Sequence, residues 1–348
     1  MSIKKSLYEM SWQVSEDEYR QDEALSYSTL AKFERGGFNC LDTLFDKVES
    51  PALTFGSAVD AIITGGMDEF NDRFCVAEFP ATSDTVAKIV KSIFDQYNTK
   101  YTNMASIPDD NILGYADMFE YQSKWKPETR VNKLRELGEP YYKVLYLSYG
   151  KTLLSTETYE DILRTVEALR TSSATQHFFS DPVDDSIEHL YQLKFKATLN
   201  GIDYRCMFDL LIVDHETKTI QPVDLKTSGK KEWEFYKSFI EWNYQIQNRL
   251  YVRILQKCLE NDEYFKDFEI LPYKDVVVSR HSLTPLVWDC SFTFHVGTIT
   301  FGKDNQIELR DPEDIGKELM HYLSSRPAVP MDIDNLGSND LTTWLNKL

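Results

Sequence analysis

At 348 residues, with 42% apolar and 27% charged side chains, the chain is sized for one large domain or two ordinary ones and composed like a soluble globular protein. Its formal net charge of −18 argues against a nucleic-acid coat or a general polyanion binder, and it predicts weak nucleic-acid binding at physiological salt unless a divalent cation helps. No run is long and apolar enough to span a membrane, and the start "MSIKKSLYEMSWQVSEDEYR" lacks the apolar core of a signal peptide. The cysteines (Cys40, Cys75, Cys206, Cys258, Cys290) are scattered and form no C-x-x-C pair. They point to a reducing cytosol, with no disulfide framework and no zinc or iron–sulfur site.

In chain order, "SYSTLAKFERGGFNCLDTLFDK" reads as a helix capped by Ser26 or Ser28, broken at Gly36-Gly37, then a second short helix. The small residues Gly56, Ser57 and Ala58 in "ALTFGSAVDAIITGG" predict a helix packed close to a neighbour. A helical insertion or lid is expected at about 80–145, within a single domain over 1–330, and residues 331–348 read as a tail whose "LTTWLNKL" suggests a short terminal helix. "STETYEDILRTVEALRT" is amphipathic and capped by Ser155, with Ile162, Val166 and Leu169 near helical spacing.

The period then changes. Asn200-Gly201 between two alternating runs is a strong hairpin signal, and "DHETK" turns the chain again, so a three-stranded meander is expected from about 188 to 227. With the second turn centred on Glu216, Asp209 lies across from residue 223 or 224 and near Asp224. Residues 231–260 read as one helix, followed by the strand "KDVVVSR" and a second extended run, "LVWDCSFTF".

Within "PVDLKTSG", Asp224 and Lys226 project to one face of a strand. This is either a surface ion pair or a catalytic site. Two carboxylates on adjacent strands can hold Mg²⁺. A lysine beside them can orient a nucleophilic water or stabilise a charged transition state. Gln247 and Tyr251, four apart on the next helix, share a face, with Tyr244 a turn back, and can contact a phosphate or brace the lysine. Lys230, Lys231, Arg249 and Arg253 are candidate phosphate contacts that read equally as ordinary surface charges, with Arg249, one turn from the Gln247–Tyr251 face, favoured. Glu188 at the start of the meander is an outer-shell candidate that reads more simply as a solvated strand start, and the histidines read as exposed or structural.

The ordered set of Asp209, Asp224-Leu225-Lys226-Thr227 and the Q-x-x-x-Y helix from Gln247 to Tyr251 resembles the PD-(D/E)XK nuclease superfamily. Within it, the set is similar to the branch of RecB nuclease domains, lambda exonuclease and RecE-type exonuclease VIII, and the similarity to the RecE type covers most of residues 26–290. The resemblance implies an α/β core with a central mixed sheet flanked by helices. It implies a Mg²⁺ (or Mn²⁺) site from Asp60, Asp209, Asp224 and the backbone of Leu225, and catalysis by Asp209, Asp224, Lys226, Gln247 and Tyr251. It also implies DNA contacts from Arg249, Lys230 and Tyr244. The implied activity is a phage or prophage 5′→3′ exonuclease on duplex ends in recombination, cytoplasmic in a bacterial host. A single-strand annealing partner and a homo-oligomer would accompany it. Asp60 stands where the family carries a histidine, and an aspartate is a harder ligand than imidazole. The alternative is a catalytically inactive DNA-binding or protein-interaction module on a degenerate nuclease fold, favoured by Asp60 and the net charge.

Overall fold

The computed structural model describes residues 4–46, 48, 50–182, 184–295, 297–301 and 305–325, so the expected terminal helix lies outside the described residues. Helices α1 (Glu16–Gln21), α2 (Tyr27–Gly36) and α3 (Pro51–Arg73) come first. Ser26 caps α2 through its side chain, and Gly37 ends it at φ 55°, a left-handed backbone that glycine adopts without steric cost. Ser50 caps α3, with Pro51 in its first turn. A short strand β1 (Phe74–Val76) pairs in parallel with β2 (Thr152–Leu154).

Between β1 and β2 lie α4 (Asp84–Tyr97), α5 (Asp109–Met118) and α6 (Pro127–Leu147). These helices pack around their own apolar cluster, which includes Ile89, Ile93, Met104, Ile112 and Leu134. Helix α7 (Thr156–Thr171) follows, capped by Ser155, then the short α8 (Gln176–Phe179).

The meander forms as its turn chemistry dictates. Strand β3 (Ile187–Leu199) meets β4 (Ile202–Asp214) through Asn200 (φ 49°) and Gly201 (φ 82°), the two positive φ values of a tight hairpin turn. Strand β5 (Thr219–Ser228) returns beside β4 with Leu210 opposite Val223. After α9 (Phe235–Glu241) and α10 (Tyr244–Leu259), the two-residue β6 (Glu269–Ile270) and then β7 (Tyr273–Ser279) pair parallel to β5. Strand β8 (Leu286–Cys290) closes the edge antiparallel. The main path is β3-β4-β5-β7-β8, a mixed sheet. A hairpin of β9 (Gly297–Phe301) and β10 (Asn305–Leu309) leads into α11 (Pro312–Ser325).

Helices cover both faces of this sheet. One face packs Phe208, Leu211 and Val213 against side chains of α2, α10 and α11; the other packs Leu210, Val223 and Val276 against α3 and α7. The architecture is a mixed α/β sheet flanked by helices, as the sequence predicts. Two expectations need correction. Residues 231–260 are not one helix: Asn243 adopts left-handed backbone (φ 56°), which asparagine tolerates, and splits α9 from α10. The extended run after Pro285 stops at Cys290, and residues 291–294 turn into a 3-10 helix. No described helix is long and apolar enough to cross a membrane.

Candidate active site

The ladder between β4 and β5 ends at Leu210–Val223, so the next rung sets Asp209 opposite Asp224. On the other side of β4 the β3 pairing also opens, where Gln192 has φ 54° and leaves the regular ladder between Tyr191–Leu210 and Leu193–Phe208. In the gap, the Asp209 carboxylate accepts a hydrogen bond of 2.9 Å from the Leu225 amide. The Gln192 amide donates to both oxygens of Asp60, at 3.0 and 2.9 Å. Helix α3 brings Asp60 in because Gly56, one turn earlier, lets the helix lie against β5. A Cβ at Gly56 would meet Thr227 Oγ1 at 2.9 Å. Asp60 and Asp209 share the wall of a cavity of about 10 Å³, room for one water-sized sphere.

On the α10 side, Asp224 is 2% exposed and ion-paired with Lys226. Lys226 donates to Gln247 Oε1 at 2.8 Å, and Gln247 Nε2 donates to Asp224 Oδ1, so one amide holds both members of the pair. The ammonium also lies 4.3 Å from the centroid of the Tyr244 ring, a cation–π contact. The pair is therefore not a surface ion pair, and Gln247 braces the lysine. Tyr251 shares the Gln247 face but is buried, edge-on to Phe208 at 5.3 Å, and packs beneath the carboxylates.

Two expected DNA contacts look different in the fold. Arg249 is fully enclosed, donating to Gln245 Oε1 (3.1 Å) and to the carbonyls of Leu309 (3.2 Å) and Arg310 (2.9 Å). Two residues past Gln247 on an α-helix is about 200° around the axis, so Arg249 faces away from the site and cannot contact a phosphate. Lys230 is half-buried and bridges Glu241 at 2.8 Å. Glu188 lies away from the site, 3.1 Å from His215 Nε2.

Sequence reading missed three residues. Gln192 had no signal beyond its strand. Asp275 is in register beside Asp224 on β7, fully buried, its carboxylate facing Asn248 Nδ2 and Cys290 Sγ at 3.4 Å each. A single acid beside the apolar run "VVV" was the available clue. Asn248 sits next to Gln247 in "QIQN" and is fully buried.

The electrostatics follow from this crowding. Burial first, then the Asp224 and Asp60 charges, push the Asp209 carboxyl well above the usual carboxylate range. Burial raises Asp60 and Asp275 to about 7 each, with Asp224 adding to both shifts. Burial opposes charge on Lys226, but Asp224 and its other neighbours outweigh it and raise its pKa. Folded carboxyls with raised pKa hold protons that the unfolded chain releases, so the metal-free protein loses stability as pH rises from about 4 through about 7. Its melting temperature should be several degrees lower at about pH 7.5 than at about pH 5.5, and Mg²⁺ should narrow the gap. A melting temperature in EDTA that is higher at the upper pH would contradict this charge balance.

The donor set fits a hard divalent cation. Three carboxylates and a backbone carbonyl offer oxygen ligands, and burial together with the Asp224 and Asp60 charges pushes Asp209 well above the usual carboxylate range, a crowding that a bound dication would relieve. Among the described residues no three acidic, histidine or cysteine side chains already surround one point, so the carboxylates must turn to close a shell.

No protein-family model matches the chain, and neither does any curated protein. Among solved structures it is similar to the crystal structure of a "Putative exonuclease" from Eubacterium rectale, at 13% identity and a TM-score of 0.39, over 90% of this chain and 84% of the other. A likeness this loose fixes neither the fold family nor the chemistry.

Proposed function

We propose that the chain is a metal-dependent nuclease of the PD-(D/E)XK type that hydrolyses phosphodiester bonds in DNA. The observation that carries this reading is the buried Asp224–Lys226 pair held by a single glutamine, with Asp209 and Asp60 beside it. A structural ion pair does not call for two further carboxylates, both of which the Asp224 charge pushes upward on top of burial. Asp60, Asp209, Asp224 and the Leu225 carbonyl would hold Mg²⁺ or Mn²⁺. Such an ion supplies phosphate-charge neutralisation and a more acidic bound water. Lys226 sits within the cluster, and its ammonium is held to stabilise charge developing on the phosphoryl group or to orient the attacking water. Gln247 bridges the pair, accepting from Lys226 and donating to Asp224. Tyr244 supports its other side, and Tyr251 fills the space below.

The finer reading is a 5′→3′ exonuclease on duplex ends, with an annealing partner and a ring-forming homo-oligomer. It rests on the resemblance of Asp209, the D-L-K-T strand and the Q-x-x-x-Y helix to the RecE and lambda branch. An end-dependent enzyme should degrade linear duplex in Mg²⁺ and leave covalently closed circles intact. Rapid linearisation of the circles would replace this reading with endonuclease action.

A further inference from the structure

Directly after the Lys226 strand, the chain displays aromatic side chains on two faces. In α9, Phe235 and Phe239, four apart, are buried against Tyr244, Trp288 and Phe292. Tyr236 and Ile240, also four apart, point outward, at 44% and 42% exposed. Trp233 just before α9 is 53% exposed and Trp242 just after it 44%. Large aromatics left in water in this way usually mark a binding surface.

A cation lies beside each outward ring. Lys231 is 5.1 Å from the Trp233 centroid, Lys237 is 5.8 Å from that of Tyr236, and the Arg35 guanidinium is 5.0 Å from that of Trp242. In a chain of net charge −18, residues 226–244 carry four lysines against three glutamates. One of these, Glu232, is enclosed, accepting from the amides of Ser279 and Thr284 at 3.0 Å each and anchoring the strip to β7 and its loop. The strip is continuous with the site. Tyr244 stacks on Phe235 at 5.7 Å and carries Lys226 over its ring, and Tyr27 Oη donates to the Trp242 carbonyl.

We propose that Trp233, Tyr236 and Trp242 form a stacking platform for the bases of a single nucleic-acid strand running to the Asp224–Lys226 site. This rests on the nuclease reading above and narrows its substrate to a strand that is unpaired where it crosses α9. Base faces stack on exposed aromatic rings without regard to sequence, and neighbouring cations meet the phosphates. Lys237 and Lys230 are shared with Glu234 and Glu241, so stacking is the main contact and charge the lesser one. A second copy of the chain is the weaker occupant, because interface cores are depleted in lysine and each ring here has a cation beside it.

The test is binding of fluorescein-labelled oligothymidine in EDTA at low salt, where no hydrolysis intervenes. It is read by anisotropy and by quenching of tryptophan emission. Wild type should bind with quenching. A Trp233→Ala/Trp242→Ala variant should bind on the order of ten- to a hundredfold more weakly with an unchanged thermal melt, and Trp233→Phe/Trp242→Phe should recover most of the affinity. An abasic oligomer of equal length should bind wild type as weakly as oligothymidine binds the alanine variant. Equal affinity of wild type and the alanine variant for oligothymidine would overturn the proposal. So would wild-type affinity for the abasic oligomer equal to that for oligothymidine. A change of oligomeric state with unchanged DNA affinity would also overturn it, and would make the strip a contact between copies. Binding with quenching but no cleavage in Mg²⁺ would remove the nuclease reading and leave the platform standing.

Discussion

Lys226→Ala should slow single-turnover cleavage of a linear duplex on the order of 10²–10³, the usual effect of removing one preorganised electrostatic donor. The lysine is not free to wander: Gln247 accepts its hydrogen bond at 2.8 Å and Tyr244 lies under it at 4.3 Å. The same change removes the counter-charge from Asp224, which is 2% exposed. Truncating one partner of a buried pair costs about 3–5 kcal/mol, whereas an exposed pair is worth under about 1 kcal/mol. The variant should therefore melt well below wild type in EDTA and recover part of the loss in Mg²⁺ or Ca²⁺, as a bound dication replaces the missing charge. Lys226→Arg separates the two effects. It keeps a cation near Asp224 and most of the stability, but a planar guanidinium cannot reproduce the ammonium held by Gln247, so its rate should stay low. A Lys226→Ala protein with wild-type rate and wild-type melt would reduce the pair to a strand-end ornament.

Asp224→Asn should abolish detectable Mg²⁺ or Mn²⁺ binding by calorimetry and lower cleavage at least as far as Lys226→Ala does. Asp224 is the carboxylate with a neighbour on every side: Asp209 across β4, Asp275 in register on β7, Lys226 on its own strand and Gln247 from α10. An amide in its place removes a charged ligand. It also relieves the repulsion that holds Asp209 and Asp275 above the usual carboxylate range. The amide strips Lys226 of its main counter-charge as well, so without metal the variant should melt below wild type at neutral pH, though less far than Lys226→Ala because the relieved repulsion offsets part of the loss. Equal metal affinity in Asp224→Asn and wild type would remove Asp224 from the site.

The parts of this arrangement legible in the sequence are those that local chemistry dictates. Asn200-Gly201 admits the two positive φ values of a tight hairpin, and the length of "DHETK" sets the return strand, so Asp209 across from residue 223 or 224 follows from counting, and the structure selects 224. Gly56 signals close approach because no larger side chain fits beside Thr227. The remainder depends on contacts distant in sequence. Asp275 reads as the start of an apolar strand until β7 is known to lie beside β5. Gln192 takes a left-handed backbone that no single-residue pattern announces, and its amide holds Asp60 across 132 positions of sequence. Arg249 looks like a surface cation until the helix is phased by Gln247, which turns it inward to the carbonyls of Leu309 and Arg310. The break at Asn243 is hidden because the residues on both sides favour helix.

The central claim is that this cluster performs metal-dependent phosphodiester hydrolysis. Its most direct test is release of label from an end-labelled linear DNA duplex by the wild-type chain in Mg²⁺, in Mn²⁺ and in EDTA, with Asp224→Asn from the same preparation alongside. The account predicts release by wild type with either divalent ion, none in EDTA and none from Asp224→Asn. Release that persists in EDTA or in Asp224→Asn, or a folded wild-type protein that releases nothing with either ion, would contradict it.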